Sequence, residues 1–512
     1  MIPKFVSVKE MIAIEKAADA SGHTYAQMME FAGRGLAREI AQAPVELESQ
    51  SVLAIVGKGN NGGDALVALD YLNQAGWRTT ALIVSGRTKD VLVSRLEGKS
   101  KIFWTAEIQG EGLNHLISDH CVFVDGLLGT GIRLPLRGES KNLLAFVKEI
   151  TADLQTKPYM VAVDCPSGLD CDSGAVAPET IPADLTVCMA AVKRGMLRLP
   201  AFGYLGTLRV ATIGLPDSIG AYEQINRFVI NGDWVANSLP DRPLDAHKGT
   251  FGKALIIAGS RNYIGAVLLS GRAAFRAGAG WVTLAVPEQI QAGLAGHFPE
   301  ATWLPLSYGS KKNTQSIVQE VRQFLEKTDA LLLGPGLGMA APAQELVSQL
   351  ITPELPPFVV DADGLKLLAQ LERWSERLPV ESVLTPHPGE MSILTHVDKS
   401  TIQADRVQVA ERFAHEWGHI VVLKGPFTVV AAPDGRTGIL PMASPALARA
   451  GTGDVLAGII TGLRAQGMGA FEAALAGVWL HAKAGMHAAK SKGSTASVLA
   501  GDLIDELGPL LK

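Results

Sequence analysis

Glycine repeatedly follows short apolar runs in this chain, and no other feature of the sequence restricts its possible folds as strongly. The 512 residues include 54 glycines. A short apolar run, a tight glycine turn and a helical segment form the repeating unit of a parallel sheet that is covered by helices. The chain therefore predicts an α/β fold with buried parallel strands.

The apolar runs place strands along the whole chain. In the first half the predicted strands are Val52–Val56, Thr80–Val84, Cys121–Val124, Met160–Val163 and Leu185–Met189. In the second half they are Ala254–Ala258, Trp281–Val286, Ala330–Leu333, Phe358–Val360, Ser382–Leu384, Ile420–Leu423 and Thr428–Ala432, the last two as a hairpin. The predicted helices include Val8–Ala20, Tyr25–Ala41, Ala65–Leu72, Asp454–Gln466 and Phe471–Ala489, and Ser7 with Glu10 predicts a capping box on the first helix.

A chain of this length is too long for one hydrophobic core, so we expect at least two domains. The segment Asn231–Lys248 interrupts the strand and helix rhythm, because it holds Pro240 and Pro243 and has no apolar period. We place the boundary there and assign residues 1–228 and 229–512 to two domains. No residue-level repeat relates the halves, which predicts a fusion of two different domains.

Composition excludes several classes of protein. Hydrophobic residues are 47% and charged residues 19%, the net charge is -5, and no long basic run is present, which argues against a nucleic-acid partner. No apolar stretch is long enough for a membrane span. Cys121, Cys165, Cys171 and Cys188 have neither metal-ligand spacing nor a histidine cluster, so we expect thiols in a reducing compartment and a cytoplasmic protein.

The first candidate site is a polar glycine turn, Gly57-Lys-Gly-Asn-Asn-Gly-Gly-Asp64, directly after the strand Val52–Val56. This is the position of the first strand-to-helix turn of a doubly wound sheet, where ligands usually bind. Asp125, Asp164 and Ser167 follow two later strands and should reach the same sheet edge as Asn61. Oxygen ligands without His or Cys suit a hard cation, and their few charges favour a monovalent ion.

Three motifs in this half resemble the NAD(P)HX epimerase domain, which acts on hydrated NADH and NADPH. They are Gly59-Asn-Asn-Gly-Gly-Asp64, Asp125-Gly-Leu-Leu-Gly-Thr-Gly131 and Asp164-Cys-Pro-Ser-Gly168, and the resemblance covers roughly residues 1–225. It implies a Rossmann-like three-layer αβα fold, a potassium ion held by Asn61, Asp125 and Ser167, and epimerisation at the carbon that bears the hydroxyl. The substrate would contact Asp164, Asn60, Asn61, Gly62, Gly63, Asp64, Gly129, Thr130, Gly131, Ile132, Arg133, Leu134 and Pro135.

Two details of that resemblance stay open. The motif does not settle which residue moves the proton, and Asp164 is our candidate. Ala65 stands where the family often has another glycine, which could narrow the turn.

The second candidate site centres on the tetrad Gly451-Thr452-Gly453-Asp454, a glycine turn that opens into an apolar helix. Free N–H groups and the positive end of the helix dipole suit a phosphate. A carboxylate there suits a base that takes a proton from an attacking hydroxyl. The same four residues are also compatible with an ordinary turn, so the tetrad needs support from the rest of the chain.

Four further strand ends supply that support: Leu333-Gly-Pro-Gly-Leu-Gly338, Val360-Asp-Ala-Asp-Gly364, Thr385-Pro-His-Pro-Gly-Glu390 and Leu423-Lys-Gly-Pro426. Together with His247-Lys-Gly-Thr-Phe-Gly252 they resemble the ribokinase-like superfamily and, within it, the ADP-dependent NAD(P)HX dehydratase, over roughly residues 230–512. The resemblance implies a ribokinase-like αβα domain, magnesium, and ADP as phosphoryl donor. Phosphate would be transferred to the substrate hydroxyl and then eliminated, which leaves AMP and NADH or NADPH.

Carried over to this sequence, Asp454 is the catalytic base and Gly451–Gly453 form the anion hole. The nucleotide would contact Lys424, Gly425, Pro426, Phe427, Thr428, Gly451, Thr452 and Gly453, and NAD(P)HX would contact Ala266, Gly336 and His387. From the residues alone, His387 fits a ligand contact and a scaffold role equally well.

We therefore predict a bifunctional repair enzyme, homo-oligomeric by resemblance only. One alternative is a ribokinase-like small-molecule kinase of the hydroxymethylpyrimidine type with an accessory domain, which would release a stable phosphorylated product. Another is a binding protein whose first domain has lost its chemistry, although its polar strand ends are all present.

Overall fold

The protein was analysed as a computed structural model, which describes residues 2–46, 50–108, 110–308 and 313–511. The described chain divides into two compact units, Pro3–Arg227 and a second that begins at Phe228. The predicted assignment of residues 1–228 and 229–512 to two separate activities stays a prediction at this point.

The N-terminal unit alternates strands and helices. Its strands are β1 (Lys4–Val6), β2 (Ser51–Val56), β3 (Arg78–Ile83), β4 (Lys101–Trp104), β5 (Val122–Gly126), β6 (Tyr159–Val163), β7 (Leu185–Met189), β8 (Ala191–Lys193) and β9 (Thr207–Ala211). Its helices are α1 (Val8–Ala20), α2 (Tyr25–Ile40), α3 (Asn60–Gln74), α4 (Val91–Leu96), α5 (Glu111–Ser118), α6 (Gly138–Asp153) and α7 (Gly220–Glu223).

A fully parallel sheet in the order β4-β3-β2-β5-β6-β7-β9 forms the centre of this unit. Alternate residues of β2 enter two separate cores, Val52, Ala54 and Val56 on one face and Leu53 and Ile55 on the other. Each core also contains residues of the covering helices, so the three-layer αβα prediction is confirmed. The chain order reverses between β2 and β5, which opens the crevice where such sheets bind ligands.

The second unit begins within β10 (Arg227–Val229) and continues with α8 (Gly232–Ser238). Its further strands are β11 (Lys253–Ile257), β12 (Trp281–Pro287), β13 (Thr302–Leu306), β14 (Ala330–Leu333), β15 (Phe358–Val360), β16 (Val383–Leu384), β17 (Ile420–Leu423), β18 (Val429–Ala431) and β19 (Thr437–Ile439). Its helices continue with α9 (Gly265–Arg276), α10 (Glu288–Ala295), α11 (Thr314–Leu325), α12 (Ala341–Leu350), α13 (Asp363–Leu368), α14 (Pro388–Thr395), α15 (Lys399–Ala404), α16 (Arg406–Trp417), α17 (Thr452–Ala465), α18 (Ala470–Lys492) and α19 (Ala500–Asp505).

This sheet runs in the order β13-β12-β11-β14-β15-β16-β17-β18-β19. Pairing is parallel from β13 to β17, and β18 and β19 are antiparallel, so the predicted hairpin at Lys424 is confirmed. Alternate residues of β11 again enter two cores, Ala254 and Ile256 on one face and Leu255 and Ile257 on the other. The parallel strands therefore deliver their polar ends to one edge, as the sequence predicts.

Two helix starts differ from the prediction. Helix α3 begins at Asn60 rather than Ala65, with Gly59 as its N-cap. A side chain at Gly62 would overlap the Gly57 carbonyl, and one at Gly63 would lie 2.5 Å from Met29 Sδ. The two glycines thus permit close packing within a helix. Ala65 lies in that helix, so it narrows no turn.

Helix α17 begins at Thr452 rather than Asp454, since Gly451 is its N-cap with φ +89°. The capping box of Ser7 and Glu10 is confirmed. The edge strands β4 and β9 were missed because they are short and partly exposed, so neither contains a long apolar run.

The four cysteines, all among the described residues, form no disulfide, and three of them are buried. Within the described residues, every helix is too short or too polar to cross a membrane.

Candidate active sites

Asn61, Asp125 and Ser167 lie together at the switch point of the N-terminal sheet. The Ser167 hydroxyl donates to Asp125 Oδ1 at 2.6 Å, and the Ser167 amide donates to Oδ2 at 2.8 Å. Asn61 Nδ2 donates to the carbonyls of Val163 at 2.5 Å and Leu128 at 3.2 Å. The structure therefore brings together the residues that strand-end reasoning had selected from three separate segments.

The charge of this cluster suits a cation. Asp125 is buried, and burial raises the pKa of its carboxyl despite the hydrogen bonds from Ser167. Among the described residues, no basic side chain forms an ion pair with Asp125. An amide oxygen on Asn61 and a buried carboxylate without a counter-charge form a donor set that fits a monovalent ion.

The predicted substrate segments surround this cluster. Asn60 is exposed, whereas Asn61, Gly62, Gly63 and Asp64 are buried in the first turns of α3. A side chain at Gly129 would lie 2.7 Å from Asn61 Oδ1, so the loop begins against the cluster. Thr130, Gly131, Ile132, Arg133, Leu134 and Pro135 are all exposed or half-buried, as a substrate-facing loop requires, and their contact with substrate stays a prediction.

Asp164 belongs to a different set of contacts. Its Oδ1 accepts hydrogen bonds from the Met189 amide at 2.8 Å and from the Lys193 ammonium. Its backbone has φ +62°, a conformation that non-glycine residues adopt rarely and mostly at functional sites. Asp164 follows Val163, whose carbonyl accepts from Asn61, so it lies at the same sheet edge. Its side chain pairs with Lys193, which the sequence analysis did not select, and its place in the substrate site stays a prediction.

In the second unit, the tetrad forms the N-terminus of α17. A side chain at Gly451 would lie 2.6 Å from Leu269 Cδ1, and φ +89° favours glycine as well. The Thr452 amide donates to the Arg449 carbonyl at 3.3 Å, while the amides of Gly453 and Asp454 have no acceptor among the described residues. These two amides are available for an anion at the positive end of the helix dipole.

Asp454 lies in a buried cluster of charges. Burial, and then the neighbouring Asp361, raise the pKa of its carboxyl to about 7, although Lys424 opposes the shift. Lys424 Nζ donates to Asp361 Oδ1 at 2.5 Å and lies 3.8 Å from Glu390 Oε2. A carboxyl group with a pKa near neutrality can take up and release a proton under working conditions, as a general base must.

Hydrogen bonds within the loop after β17, and from neighbouring segments, hold this loop in place. Thr428 Oγ1 donates to the Gly425 carbonyl at 2.9 Å, and the Phe427 amide donates to the Met442 carbonyl at 3.2 Å. Arg406 donates to the Pro426 carbonyl at 2.5 Å and to the Leu423 carbonyl at 2.7 Å. The Arg406 contacts fix the loop on both sides of Lys424.

The three residues predicted to contact NAD(P)HX have different surroundings. A side chain at Gly336 would lie 3.0 Å from Ala266 Cβ, so these two share one surface close to α17. His387 caps α14, where its Nδ1 accepts from the amides of Gly389 at 2.9 Å and Glu390 at 3.2 Å. The structure thus gives His387 a scaffold role, and its half-exposed ring keeps a substrate contact as a prediction.

The acidic side chains around Lys424 are candidate ligands for magnesium. The described residues contain no group of three or more His, Cys, Asp or Glu side chains placed to hold a metal ion by themselves. Magnesium in nucleotide sites is usually held by one or two carboxylates together with substrate phosphates. Asp361 and Glu390, beside the free amides of α17, fit that mode of binding.

Sequence reasoning missed three residues of these sites. Asp361, the first of the two aspartates in the Val360–Gly364 motif, accepts hydrogen bonds from Lys424 and, at 2.7 Å, from Thr385. Lys193 and Arg406 lie in no motif, and their selection requires the fold. A buried basic residue shortly after a core strand was the only available signal for Lys193.

One αβα unit has an oxygen-rich crevice at its sheet edge. The other has a helix N-terminus with two free amides beside a carboxyl group of raised pKa. The two units thus define an α/β protein with two candidate active sites. Comparisons with known proteins narrow this class. A family model described as YjeF-related protein N-terminus matches residues 25–195, and one described as NAD(P)H-hydrate dehydratase matches residues 254–508.

Two relatives share both units. The bifunctional NAD(P)H-hydrate repair enzyme Nnr of Moorella thermoacetica is 35% identical over 91% of this chain and 88% of its own length. The protein of the same name from Coxiella burnetii is 32% identical over 98% of both chains. The chain therefore belongs to the family of bifunctional NAD(P)H-hydrate repair enzymes, and both resemblances predicted from the motifs are confirmed.

A solved structure matches the second unit. It is an ADP/ATP-dependent NAD(P)H-hydrate dehydratase from Bacillus subtilis, co-crystallised with ATP and Mg²⁺. It is 30% identical and covers 55% of this chain and 96% of its own, with a TM-score of 0.47.

Proposed function

We propose that the two units act in sequence on one damaged cofactor. The N-terminal unit interconverts the R and S epimers of NAD(P)HX, and the C-terminal unit dehydrates the S epimer with ADP, which yields NAD(P)H, AMP and phosphate. The observation that carries this proposal is the buried Asp454 carboxyl, with a pKa near 7, beside two unpaired amides at the start of α17.

In the dehydratase site, Asp454 takes the proton of the substrate hydroxyl as its oxygen attacks the terminal phosphorus of ADP. The bond from that phosphorus to the AMP oxygen breaks. The amides of Gly453 and Asp454 and the Lys424 ammonium stabilise the charge on the phosphoryl oxygens. Elimination then breaks the carbon–oxygen bond to phosphate, and loss of a proton from the neighbouring carbon restores the ring double bond.

Asp361 and Glu390 would hold magnesium together with the nucleotide phosphates. The ion supplies positive charge that offsets the phosphate charge during transfer. Gly425, Pro426, Phe427 and Thr428 would contact the nucleotide through the loop that Arg406 fixes. Ala266, Gly336 and His387 would contact NAD(P)HX.

In the epimerase site, Asp164 would move the substrate proton from its fixed position after β6. Asn61, Asp125 and Ser167 would hold potassium, which supplies a positive charge that orients polar groups of the substrate. The segments Asn60–Asp64 and Gly129–Pro135 would enclose the substrate around that ion.

We also expect the protein to work as a homo-oligomer in the cytoplasm. The free cysteine thiols suit a reducing compartment. Light scattering of the purified protein tests the assembly state.

The proposed function is tested by supplying purified protein with ADP, magnesium, potassium and each separated epimer. Both epimers should yield NADH, the R epimer only by way of the S epimer. Without ADP the epimers should interconvert and no NADH should form. Conversion of neither epimer, or accumulation of a stable phosphorylated product with ATP as the preferred donor, would contradict the proposal.

A further inference from the structure

Lys193 is a lysine in the N-terminal core that the family motifs do not include. It is the last residue of β8, and only 1% of its surface is exposed. Its ammonium group donates to Asp164 Oδ1 and, at 3.1 Å, to the Met189 carbonyl. A buried ammonium group is costly unless it is paired, so these contacts hold the lysine at the Asp164 carboxylate.

The contacts of Asp164 are confined to one of its two oxygens. Oδ1 accepts both the Lys193 ammonium and the Met189 amide, whereas Oδ2 accepts no hydrogen bond from the described residues. The Asp164 amide donates to the Val187 carbonyl at 2.8 Å, which fixes the backbone on the other side. One oxygen is therefore saturated, and the other is left for a different partner.

The surroundings of this pair are acidic and lie at the proposed substrate site. Burial, and then the nearby Asp164 and Glu15, raise the pKa of Asp64 well above its usual range. Asp64 and Glu15 line one small cavity together with Asn60 and Met189. A carboxyl group with a raised pKa beside a lysine-bound carboxylate is an arrangement that acid–base catalysis uses.

We propose that Lys193 is a positioning residue of the epimerase site: it holds one oxygen of Asp164 so that the other is presented to the substrate. This inference rests on the proposed epimerase function of the N-terminal unit. Lys193 acts through Asp164 and does not itself touch the substrate. A purely structural ion pair predicts a loss of stability with normal turnover, and a positioning pair predicts a loss of turnover in folded protein.

The first experiment measures interconversion of the separated epimers by wild-type protein and Lys193→Met, with ADP withheld. We expect kcat to fall about 100-fold with KM within a few fold, because a displaced catalytic group costs rate more than binding. Dehydration of the S epimer by the same variant, with ADP added, should be unchanged because that site lies in the other unit, and thermal unfolding that matches wild type shows that the N-terminal unit is folded. A folded Lys193→Met with normal epimerisation would overturn the inference.

A control removes another lysine that pairs with a buried aspartate in the same unit, a lysine that is about half exposed and shares its aspartate with Arg95. Lys99 Nζ lies 3.1 Å from Asp70, whose side chain is 2% exposed, and neither residue touches the Asp164 contacts. Lys99→Met should leave epimerisation within about twofold of wild type. An equal loss in both variants would point to general destabilisation and would also overturn the inference.

The second experiment does not need Lys193→Met to fold. Asp164→Asn is compared with the double variant Asp164→Asn/Lys193→Met, in which both charges are removed. If Lys193 acts only through Asp164, its removal costs no further activity, so the two variants should epimerise at equal rates. A double variant clearly slower than Asp164→Asn would give Lys193 a separate role and contradict the proposal. Wild-type protein that fails to interconvert the epimers would instead contradict the proposed function itself.

Discussion

Asp164 and Asp454 are the two aspartates assigned to catalysis, and their surroundings differ in one respect. Asp164 is bound directly by a buried lysine, and a backbone amide holds the same oxygen. Asp454 also has a lysine nearby, but Lys424 donates to Asp361 instead. The pKa of Asp454 therefore rises to about 7 through burial and through Asp361.

This difference shows how one residue type can serve two reactions in one chain. A carboxylate that is fixed by an ion pair has a defined orientation toward a bound substrate. A carboxyl group near its pKa can accept the proton of a hydroxyl at the moment of phosphoryl transfer. At Asp454, burial is the largest cause of the raised pKa, the neighbouring Asp361 adds to it, and Lys424 opposes it.

The largest expected effect separates the two sites completely. Asp454→Asn keeps the shape of the side chain but removes the base, so dehydration of the S epimer should fall about 10³-fold. Epimerisation should stay within twofold, because Asp454 lies in the other unit. The check is to assay both reactions on one preparation whose thermal unfolding matches wild type.

Lys424→Met tests the lysine that lies near Asp454 but donates to Asp361. Dehydration should fall about 100-fold, because a positive charge at the phosphate is lost and Asp361 is left buried without its partner. Lys366→Met is the control, since Lys366 pairs at 2.9 Å with Asp363 and is more exposed. Initial rates at several ADP concentrations distinguish the two variants, and equal rates would contradict a special role for Lys424.

Removal of potassium should lower the rate of epimerisation about tenfold and leave the rate of dehydration unchanged. Replacing it with tetramethylammonium, which is too large for the Asn61, Asp125 and Ser167 cluster, should lower epimerisation and leave dehydration of the S epimer unchanged. Asp125→Asn should lower epimerisation to the same level and remove its dependence on potassium. A variant that is still stimulated by potassium would place the ion elsewhere.

The pH dependence gives the smallest effect: at pH 7, kcat/KM for dehydration should be about half its value at high pH, where Asp454 is fully ionised. Because the pKa of Asp454 is raised to about 7, its ionised fraction, and with it kcat/KM for dehydration, should decline as the pH falls through that value. Asp361→Asn removes a carboxylate that raises this pKa and frees Lys424 to lower it, so the remaining activity should decline only at lower pH. A dehydration profile that is flat from pH 6 to pH 8 would contradict the assignment of Asp454 as the base.

Strand-end reasoning predicted much of both sites from the sequence. Parallel strands deliver their carboxyl ends to one edge, so Asn61, Asp125 and Ser167 could be grouped without a structure. The partners of the charged groups could not be predicted in this way. Asp164 with Lys193 and Asp361 with Lys424 are 29 and 63 residues apart, and their pairing depends on side-chain direction at the sheet edge.

The capping role of His387 was equally inaccessible to composition and spacing. A histidine between two prolines fits a rigid ligand contact and a helix cap, and only the position of Nδ1 against the Gly389 and Glu390 amides shows the cap. The charged pairs and the His387 cap could not be predicted from the sequence, because each depends on the direction in which a side chain points.

Mixing two single-site variants tests the central claim most directly. Asp454→Asn and Asp164→Asn are assayed separately and together on the R epimer, with ADP, magnesium and potassium, at times short enough to exclude spontaneous epimerisation. The account predicts that Asp454→Asn alone produces the S epimer but no NADH, that Asp164→Asn alone leaves the R epimer unchanged, and that the mixture produces NADH. A mixture that fails although both variants are folded, or loss of both reactions in Asp454→Asn, would contradict two independent sites in one chain.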